Sequence, residues 1–286
     1  MLVVRTRAEL REARGTLPGP VGFIPTMGAL HEGHASLVRR ARADCQSVAA
    51  SIFVNPTQFG ANEDLSRYPR DEAGDLALLG SLGVDLAFVP AVEEIYPQGS
   101  SVSVEVGALG DVLEGAARPG HFGGVATVVT ILFNLVAPDK AYFGQKDGQQ
   151  SVVIRRLVRD LGMPVDVVIC PTVRDADGLA MSSRNRYLTS QERSQAPILN
   201  RALQAAARAL AAGDKSAESL RQFMRDELAA ASLGDVDYVS VADAETLQEL
   251  DVVDRPALAS LAVRFPSARL IDCEPLTVPM PIGGGQ

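Results

Sequence analysis

The sequence predicts an α/β fold, with a doubly wound parallel sheet followed by a smaller C-terminal α+β domain. Strand-like and helix-like segments alternate from Val21 to Thr172, a pattern typical of parallel βαβ units. After Thr172 the chain changes to a polar, glycine-containing loop, amphipathic helices and short strand-like runs. We therefore expect one domain at residues 1–174 and a smaller one, acting as a lid, at 175–286.

Composition narrows the class of protein. The 286 residues are 47% hydrophobic and 22% charged, enough for a sizeable core, and the net charge is −8. This acidic balance argues against a nucleic-acid or anionic membrane partner, since both need clustered positive charge. The longest apolar run, 125–137, is too short to cross a bilayer. Three widely separated cysteines show no disulfide or metal pattern, which favours a reducing, cytoplasmic location.

The elements of the first domain are predicted in order along the chain. Strands are expected at 21–25, 47–55, 84–90, 140–144 and 165–172, and helices at 35–45, 70–83, 123–137 and 147–162. The alternating run SVSVEV at 101–106 suggests an additional edge strand. Ligands of such sheets bind beyond the carboxyl ends of the strands, so we expect the functional site there.

The second domain is predicted from weaker signals. Thr189 and Glu192 have the spacing of a capping box before an alanine-rich helix. A second helix would place four apolar side chains on one face, Leu220, Phe223, Met224 and Leu228. Short strands are expected at 236–241, 258–263 and 268–273.

The segment PTMGALHEGH, at 25–34, contains two of the three histidines of the chain. It follows a strand and opens a helix, and the unsatisfied N–H groups of a helix N-terminus suit an anion. His31 and His34 would face the same way on the first helical turn. Two imidazoles there can bind phosphate oxygens and stabilise a departing pyrophosphate. The alternatives are two helix-capping histidines or, with less support, a zinc site.

Three more polar segments follow predicted strands. Lys146 is one of only three lysines among 27 basic residues, and it can hold a phosphate as a point charge or lie solvated. Asp147 beside it suits a helix cap. The two hydroxyls and the arginine at 182–184 are typical of a loop that closes over phosphates or of a polar linker between domains. Asn55 and Gln58 suit a hydroxylated small substrate, or a turn around Pro56.

Taken together, these segments resemble a known family. PTMGALHEGH is similar to the HxGH signature of adenylate-forming nucleotidyltransferases, and AMSSR to their KMSKS-type loop. With SIFVNPTQFG, NEDLSRYPR, RPGHFGGV, FGQKD and PTVRDADGLAMSSRNRYL in this order, the chain resembles the pantothenate synthetases, the AMP-forming pantoate–β-alanine ligases. The similarity covers residues 21–188 and implies a Rossmann-like sheet.

The resemblance implies a two-step ATP-dependent reaction in pantothenate biosynthesis. (R)-Pantoate attacks the α-phosphorus of ATP to give pantoyl adenylate and pyrophosphate. The amine of β-alanine then attacks the acyl carbon and releases AMP. Mg²⁺ accompanies the ATP, and members of the family are usually homodimers.

The resemblance also assigns roles to residues. His34 would be the proton donor, His31 its phosphate-binding companion, and Lys146 a catalytic phosphate ligand. Gln58 and Gln150 would hold pantoate, with Gln58 bordering β-alanine. The expected ATP-binding residues are Met27, Gly28, Ala29, Leu30, His31, Glu32, Gly33, His34, Gly144, Gln145, Lys146, Asp147, Val173, Met181, Ser182, Ser183 and Arg184. The family segments also contain five residues whose roles stay open, Asn55, Tyr68, Glu114, Arg118 and His121.

Two features of the sequence leave questions open. Gly148 stands where many relatives carry a bulkier residue, which would loosen the start of the helix. A neutral histidine can donate a hydrogen bond without transferring its proton, and the sequence does not separate these roles.

Three other classes of protein compete with this interpretation. One is a different HxGH-type adenylyl- or cytidylyltransferase, whose product would retain a nucleotide. Another is a nucleotide sensor that binds ATP without turnover, which the intact pair of histidines and Lys146 argue against. An aminoacyl-tRNA synthetase is disfavoured by the acidic balance and by the lack of room for an anticodon-binding domain.

Overall fold

A computed structural model describes residues 1–60 and 65–277. Residues 62–64 of the segment NEDLSRYPR therefore lie outside the described residues. The chain divides into two compact units. The first contains Met1–Gln145 and Gln149–Val173, and the second contains Lys146–Gly148 and Arg174–Gln286.

The first unit is built on a parallel sheet with helices on both faces. Its described strands are β1 (Leu2–Val4), β2 (Val21–Thr26), β3 (Ser47–Ile52), β4 (Leu86–Phe88), β5 (Lys140–Gly144) and β6 (Asp166–Cys170). Its longer helices are α1 (Arg7–Thr16), α2 (Glu32–Asp44), α3 (Glu72–Ser81), α6 (His121–Val136) and α7 (Gly148–Asp160), with the short helices α4 (Val92–Ile95) and α5 (Glu114–Ala117) between α3 and α6. The strand order is β1-β4-β3-β2-β5-β6, so the predicted Rossmann-like fold is confirmed.

The strand order places a topological switch point between β2 and β5. From β2 the chain proceeds outward through β3 and β4 on one side, and β5 and β6 lie on the other. Sheets of this type bind ligands where the strand order reverses, beyond the carboxyl ends of the strands. The turn that carries both histidines leaves the end of β2 at this point.

Alternating side chains of the strands build a core on each face of the sheet. On β2, Phe23 packs with side chains of α1, α6 and α7, whereas Ile24 packs with those of α2 and α3. Both are fully buried. Because period-two alternation sends neighbours to opposite faces, one short strand anchors helices on both sides and fixes where its own end lies.

Two expectations for this unit are wrong or incomplete. Residues 101–106 form no strand. The side chain of Val102 is 89% exposed, and Val104 donates its N–H to Thr127 Oγ1 at 2.9 Å, a side-chain partner on α6. The sequence pattern also missed β1, which pairs with β4, and α1, which Thr6 and Glu9 begin with a capping box.

The second unit combines helices with an antiparallel sheet. Its described helices are α8 (Ser190–Gln195), α9 (Ile198–Ala211) and α10 (Ala217–Leu228). Its strands are β7 (Asp235–Asp243), β8 (Ala257–Arg264) and β9 (Arg269–Leu276), in the order β7-β8-β9. The predicted capping box of Thr189 and Glu192 is confirmed. Phe223 is 42% exposed, so its predicted place on the buried face is wrong, while its three predicted companions on α10 are buried.

In the described part of the chain, none of the helices is both long enough and apolar enough to cross a bilayer.

Candidate active site

The histidine turn runs from the end of β2 to the start of α2. Gly28 and Ala29 both have left-handed backbone conformations, with φ of 81° and 50°. Glycine adopts this region freely, whereas it costs about 1–2 kcal/mol for an L-residue such as Ala29. The turn is therefore held by its surroundings, and the contacts of Asp75 on α3 supply part of that support. Asp75 Oδ2 accepts the N–H of Ala29 at 2.8 Å, and its Oδ1 accepts the N–H of Leu30 at 2.7 Å.

His31 and His34 cap the start of α2 reciprocally. His31 Nδ1 accepts the N–H of Gly33 at 3.2 Å, and His34 Nδ1 accepts the N–H of His31 at 3.3 Å. The two ring centroids lie 4.2 Å apart. The helix-capping alternative is thus present in the structure, and it is compatible with a second function. Because Nδ1 accepts in both rings, the neutral imidazoles carry their proton on Nε2.

Gln58 lies directly beside this turn. Its Nε2 contacts Met27 Sδ at 3.2 Å, and its Oε1 accepts a hydrogen bond from Asn55 Nδ2 at 3.1 Å. Asn55 is 1% exposed, and its Oδ1 accepts the hydroxyl of Tyr96 at 2.8 Å. Burial raises the pKa of Tyr96, so that hydroxyl remains protonated and donates. The amide of Gln58 is therefore oriented by a buried chain of polar side chains.

The main chain at Gln58 is held by α6 and the segment before it. The carbonyl of Gln58 accepts His121 Nδ1 at 2.8 Å and Arg118 Nη2 at 3.3 Å. Arg118 Nη1 also lies 3.1 Å from His121 Nε2. Since a guanidinium only donates, His121 Nε2 accepts and its Nδ1 carries the proton. Gly124 packs so closely that a Cβ there would lie 2.5 Å from the carbonyl oxygen of Thr57.

The two glutamines at the start of α7, Gln149 and Gln150, differ in burial and in their hydrogen-bond partners. Gln149 is buried, accepts the N–H of Glu114 at 2.9 Å and donates to the carbonyl oxygens of Leu109 and Val112, both at 2.8 Å. It is a structural residue that ties α7 to the segment before α6. Gln150 is half-buried, which leaves it as the member of the pair suited to a ligand.

The remaining predicted site residues of the first unit lie near the ends of strands. Gly144 ends β5, and Gln145 donates its N–H to the carbonyl of Cys170 at 2.8 Å. Val173 follows the end of β6 and is half-buried. Tyr68 is buried and lies edge-on to Phe59, with ring centroids 5.9 Å apart.

In the second unit, Lys146 and Asp147 lie together. Lys146 Nζ is 3.6 Å from Asp147 Oδ1, and the Lys146 carbonyl is 3.7 Å from Cys273 Sγ. Gly148 has no room for a side chain, because a Cβ there would lie 2.7 Å from Cys273 Sγ and 2.9 Å from Leu258 Cδ2. The glycine at this position therefore fits a tight contact with β8 and β9, and the expected loosening at the helix start does not describe this packing.

The segment 181–184 of the second unit is tied by local hydrogen bonds. Ser182 Oγ accepts the N–H of Arg184 at 3.3 Å and so caps a short 3-10 turn, Ser183–Tyr187. Asn185 donates its side-chain amide to the carbonyl of Ala180 at 3.0 Å. Met181 and Arg184 are half-buried, and Ser183 is buried.

Among the described residues, no group of three or more His, Cys, Asp or Glu side chains is arranged to hold a metal ion. The zinc alternative for the two histidines therefore has no third ligand in the described part of the chain.

The strand order with its switch point and the histidine turn define a Rossmann-like α/β enzyme class, and comparison with known proteins identifies the family. The family model described as pantoate-beta-alanine ligase matches residues 2–274. The pantothenate synthetase of Chloroflexus aggregans is 60% identical over 273 residues, covering 95% of this chain and 98% of the relative. The chain belongs to the pantoate–β-alanine ligase family.

Solved structures support the same assignment. A pantothenate synthetase from Thermus thermophilus matches with a TM-score of 0.92 and 51% identity, over 96% of this chain and 99% of that one. A pantoate–β-alanine ligase from Francisella tularensis, complexed with β-γ ATP and β-alanine, matches with a TM-score of 0.79 and 34% identity, over 96% and 97%. The protein is thus an enzyme that joins pantoate to β-alanine with ATP, and the resemblance is confirmed.

Proposed function

We propose that the histidine turn binds the phosphates of ATP while Gln58 and Gln150 hold (R)-pantoate. The observation that carries this division is the contact of Met27 Sδ with Gln58 Nε2 at 3.2 Å. It joins the turn after β2 to the segment after β3, so a nucleotide at the first and a small acid at the second would be neighbours. Proximity of this kind accounts for a large part of catalysis by such enzymes.

In the first step, a carboxylate oxygen of pantoate forms a bond to the α-phosphorus of ATP. The bond from that phosphorus to the bridging oxygen breaks, and pyrophosphate leaves with the electron pair. The Nε2–H groups of His31 and His34 donate to the phosphate oxygens and stabilise the developing charge. In this account His34 donates a hydrogen bond and keeps its proton.

In the second step, the amine of β-alanine attacks the acyl carbon of the adenylate. The acyl C–O bond to phosphate breaks, AMP leaves, and the nitrogen loses a proton to give the amide. Gln58 is suited to border this amine, because Asn55 orients its side-chain amide and His121 holds its carbonyl. Exclusion of water protects the reactive adenylate from hydrolysis.

The other proposed ATP contacts come from the segments after β5 and β6 and from the AMSSR loop. Lys146 contacts phosphate as a point charge, Asp147 lies near the ribose, and the backbone of Val173 meets adenine. Gly144 and Gln145 complete the segment after β5. The remaining contacts are those of the AMSSR loop, Met181, Ser182, Ser183 and Arg184.

Mg²⁺ fits this scheme as an ion carried by ATP. Magnesium usually keeps several waters and binds through substrate phosphates with one or two carboxylates. The carboxylate that contacts the turn, Asp75, already accepts two backbone N–H groups, and Glu32 pairs with Arg39. We therefore propose that the phosphates and water supply most of the ligands of the ion.

A homodimer in the cytoplasm completes the proposal. Support for the dimer comes from the family resemblance, and the weight-average mass from analytical ultracentrifugation tests it. Cys45, Cys170 and Cys273 are buried free thiols, which suit a reducing compartment.

The decisive experiment measures pantoate-dependent pyrophosphate release from Mg-ATP, with and without β-alanine, in the wild type and in His34→Ala. We expect turnover to require pantoate, AMP to appear only with β-alanine, and kcat to fall about 10²–10³-fold in the variant. The matched control is Arg40→Ala, an exposed position on the same helix, which should retain wild-type kcat. Full activity of His34→Ala would overturn the role of the turn, and release without pantoate would overturn the substrate order.

A further inference from the structure

Asp75 is a buried carboxylate whose position the sequence pattern did not single out. It lies in the first turn of α3 and is 4% exposed. Each of its two oxygens accepts one backbone N–H of the histidine turn, from Ala29 and from Leu30. The contact is close enough that a Cβ on Gly28 would lie 2.8 Å from Asp75 Oδ2.

Burial of a carboxylate is costly unless hydrogen bonds compensate for its lost hydration. Hydrogen bonds from N–H groups to an ionised oxygen are roughly twice as strong as neutral ones. The N-terminal end of α3 adds a favourable helix dipole for a negative charge in its first turn. The two N–H groups of the turn therefore offset part of the cost of burying Asp75, and Asp75 stabilises the shape of the turn in return.

The hydrogen bonds from Ala29 and Leu30 to Asp75 also determine which N–H groups of the turn can donate to a phosphate. The N–H groups that precede a helix are the usual donors to a bound anion. Here the N–H groups of residues 29 and 30 are directed to Asp75, whose negative charge also repels an anion from that side. Among the side chains of the turn, the rings of His31 and His34 lie further along and can donate to a phosphate.

We propose that Asp75 is a positioning residue, which holds the turn so that histidine side chains, and not the amides of Ala29 and Leu30, bind the ATP phosphates. The proposal deepens the proposed function and rests on it for the identity of the ligand. Asp75 itself touches no reacting atom in this account. Its effect on the reaction passes through the placement of His31 and His34.

The test compares Asp75→Asn with Asp71→Asn. Both residues lie at the start of α3 and accept backbone N–H groups, but Asp71 accepts the N–H of Gly74 in its own helix, at 3.0 Å. We expect Asp75→Asn to lower kcat for pantoate-dependent ATP–pyrophosphate exchange about tenfold to a hundredfold, and to displace the ¹⁵N signals of His31 and His34 but not His121. Asp71→Asn should produce neither effect, since asparagine is also a preferred N-cap residue. Unchanged kcat in folded Asp75→Asn, or equal losses in both variants, would overturn the proposal.

A measurement on the wild type keeps the proposal testable if Asp75→Asn does not fold. Hydrogen exchange at the amides of Ala29 and Leu30 is followed with and without a non-hydrolysable ATP analogue. We expect both amides to be protected before the analogue is added and to change little afterwards. Protection that arises only with the analogue would show that these amides bind phosphate and would overturn the proposal. The exchange rates of these two amides do not depend on whether His34→Ala is active. A failure of the proposed function would therefore be distinguished from a failure of this proposal.

Discussion

His34 Nδ1 accepts the N–H of His31, whose own Nδ1 accepts the N–H of Gly33. Each imidazole therefore caps the start of α2 through Nδ1, and its other nitrogen, Nε2, carries the proton. Capping therefore uses only one nitrogen of each ring, and it is compatible with the proposed role of both histidines as phosphate ligands.

The tautomers of the three histidines are expected to differ. His31 and His34 should be Nε2–H, because Nδ1 accepts in both, whereas His121 should be Nδ1–H, because Arg118 donates to its Nε2. Long-range ¹H–¹⁵N correlation spectra at neutral pH distinguish the two forms, with single His→Gln variants to assign the signals. An Nδ1–H signal from His34 would contradict the capping arrangement.

His31→Asn should separate capping from catalysis. Asparagine is among the preferred N-cap residues, so its side chain can replace Nδ1 as the acceptor for Gly33, but it has no counterpart of Nε2–H. We expect a change in the free energy of unfolding of under about 0.5 kcal/mol, together with a fall in kcat of about 10²-fold. His31→Ala is the control and should lose about 1 kcal/mol of stability as well. Wild-type kcat in His31→Asn would mean that His31 only caps.

Gly124→Ala should disturb the pantoate site. The new Cβ would lie 2.5 Å from the Thr57 carbonyl oxygen and 2.8 Å from the Gln58 nitrogen, and main-chain atoms do not move aside easily. Overpacking of this kind costs about 1–3 kcal/mol, so we expect the KM for pantoate to rise about tenfold or more. Gly123→Ala is the matched control, since its Cβ would lie 3.5 Å from the carbonyl of Val104. Equal KM values in the two variants would contradict this prediction.

Glu192 should make the second unit sensitive to acid. The N–H of Thr189 donates to Glu192, as do the Thr189 hydroxyl and the N–H of Ser267, and these bonds lower the pKa of Glu192 to about 2. The unfolded value is about 4.3, so folding favours the carboxylate. Its stabilisation is present above pH ~4.3 and is lost as the pH falls towards ~2.

Urea unfolding at several pH values tests this effect. Glu192→Gln should lower the free energy of unfolding at neutral pH and should flatten its decrease between pH ~5 and ~2. Gln191→Ala, an exposed position on the same helix, is the control and should leave the pH profile unchanged. A profile for Glu192→Gln with the wild-type slope would count against the assigned role.

The sequence was sufficient where local patterns decide the structure. Alternation and flanking turns placed the strand at 140–144, which coincides with β5. The capping box at Thr189 was readable because its two partners are three residues apart. The run at 101–106 shows the limit of such patterns, because alternation favours a strand only if a neighbouring strand is there to pair with it.

The histidine turn could be recognised in the sequence, whereas the residue that supports it could not. Histidines beside glycines stand out in a sequence, whereas Asp75 resembles any acidic residue in a first helical turn. Its partner Ala29 is 46 positions away, and only the fold brings the two together. Gln149 and Gln150 are likewise indistinguishable in sequence, although one is buried among main-chain carbonyls.

Gly148 and Cys273 share one small volume, although 125 positions separate them along the chain. A side chain at 148 needs space from Cys273 and also from Leu258, whose Cδ2 would lie 2.9 Å from the new Cβ. Substitution at position 148 alone should therefore disturb the packing against β8 and β9, whereas a coordinated change at all three positions can accommodate a larger residue. Any redesign of the segment that carries Lys146 must therefore include the residues of β8 and β9 that pack against it.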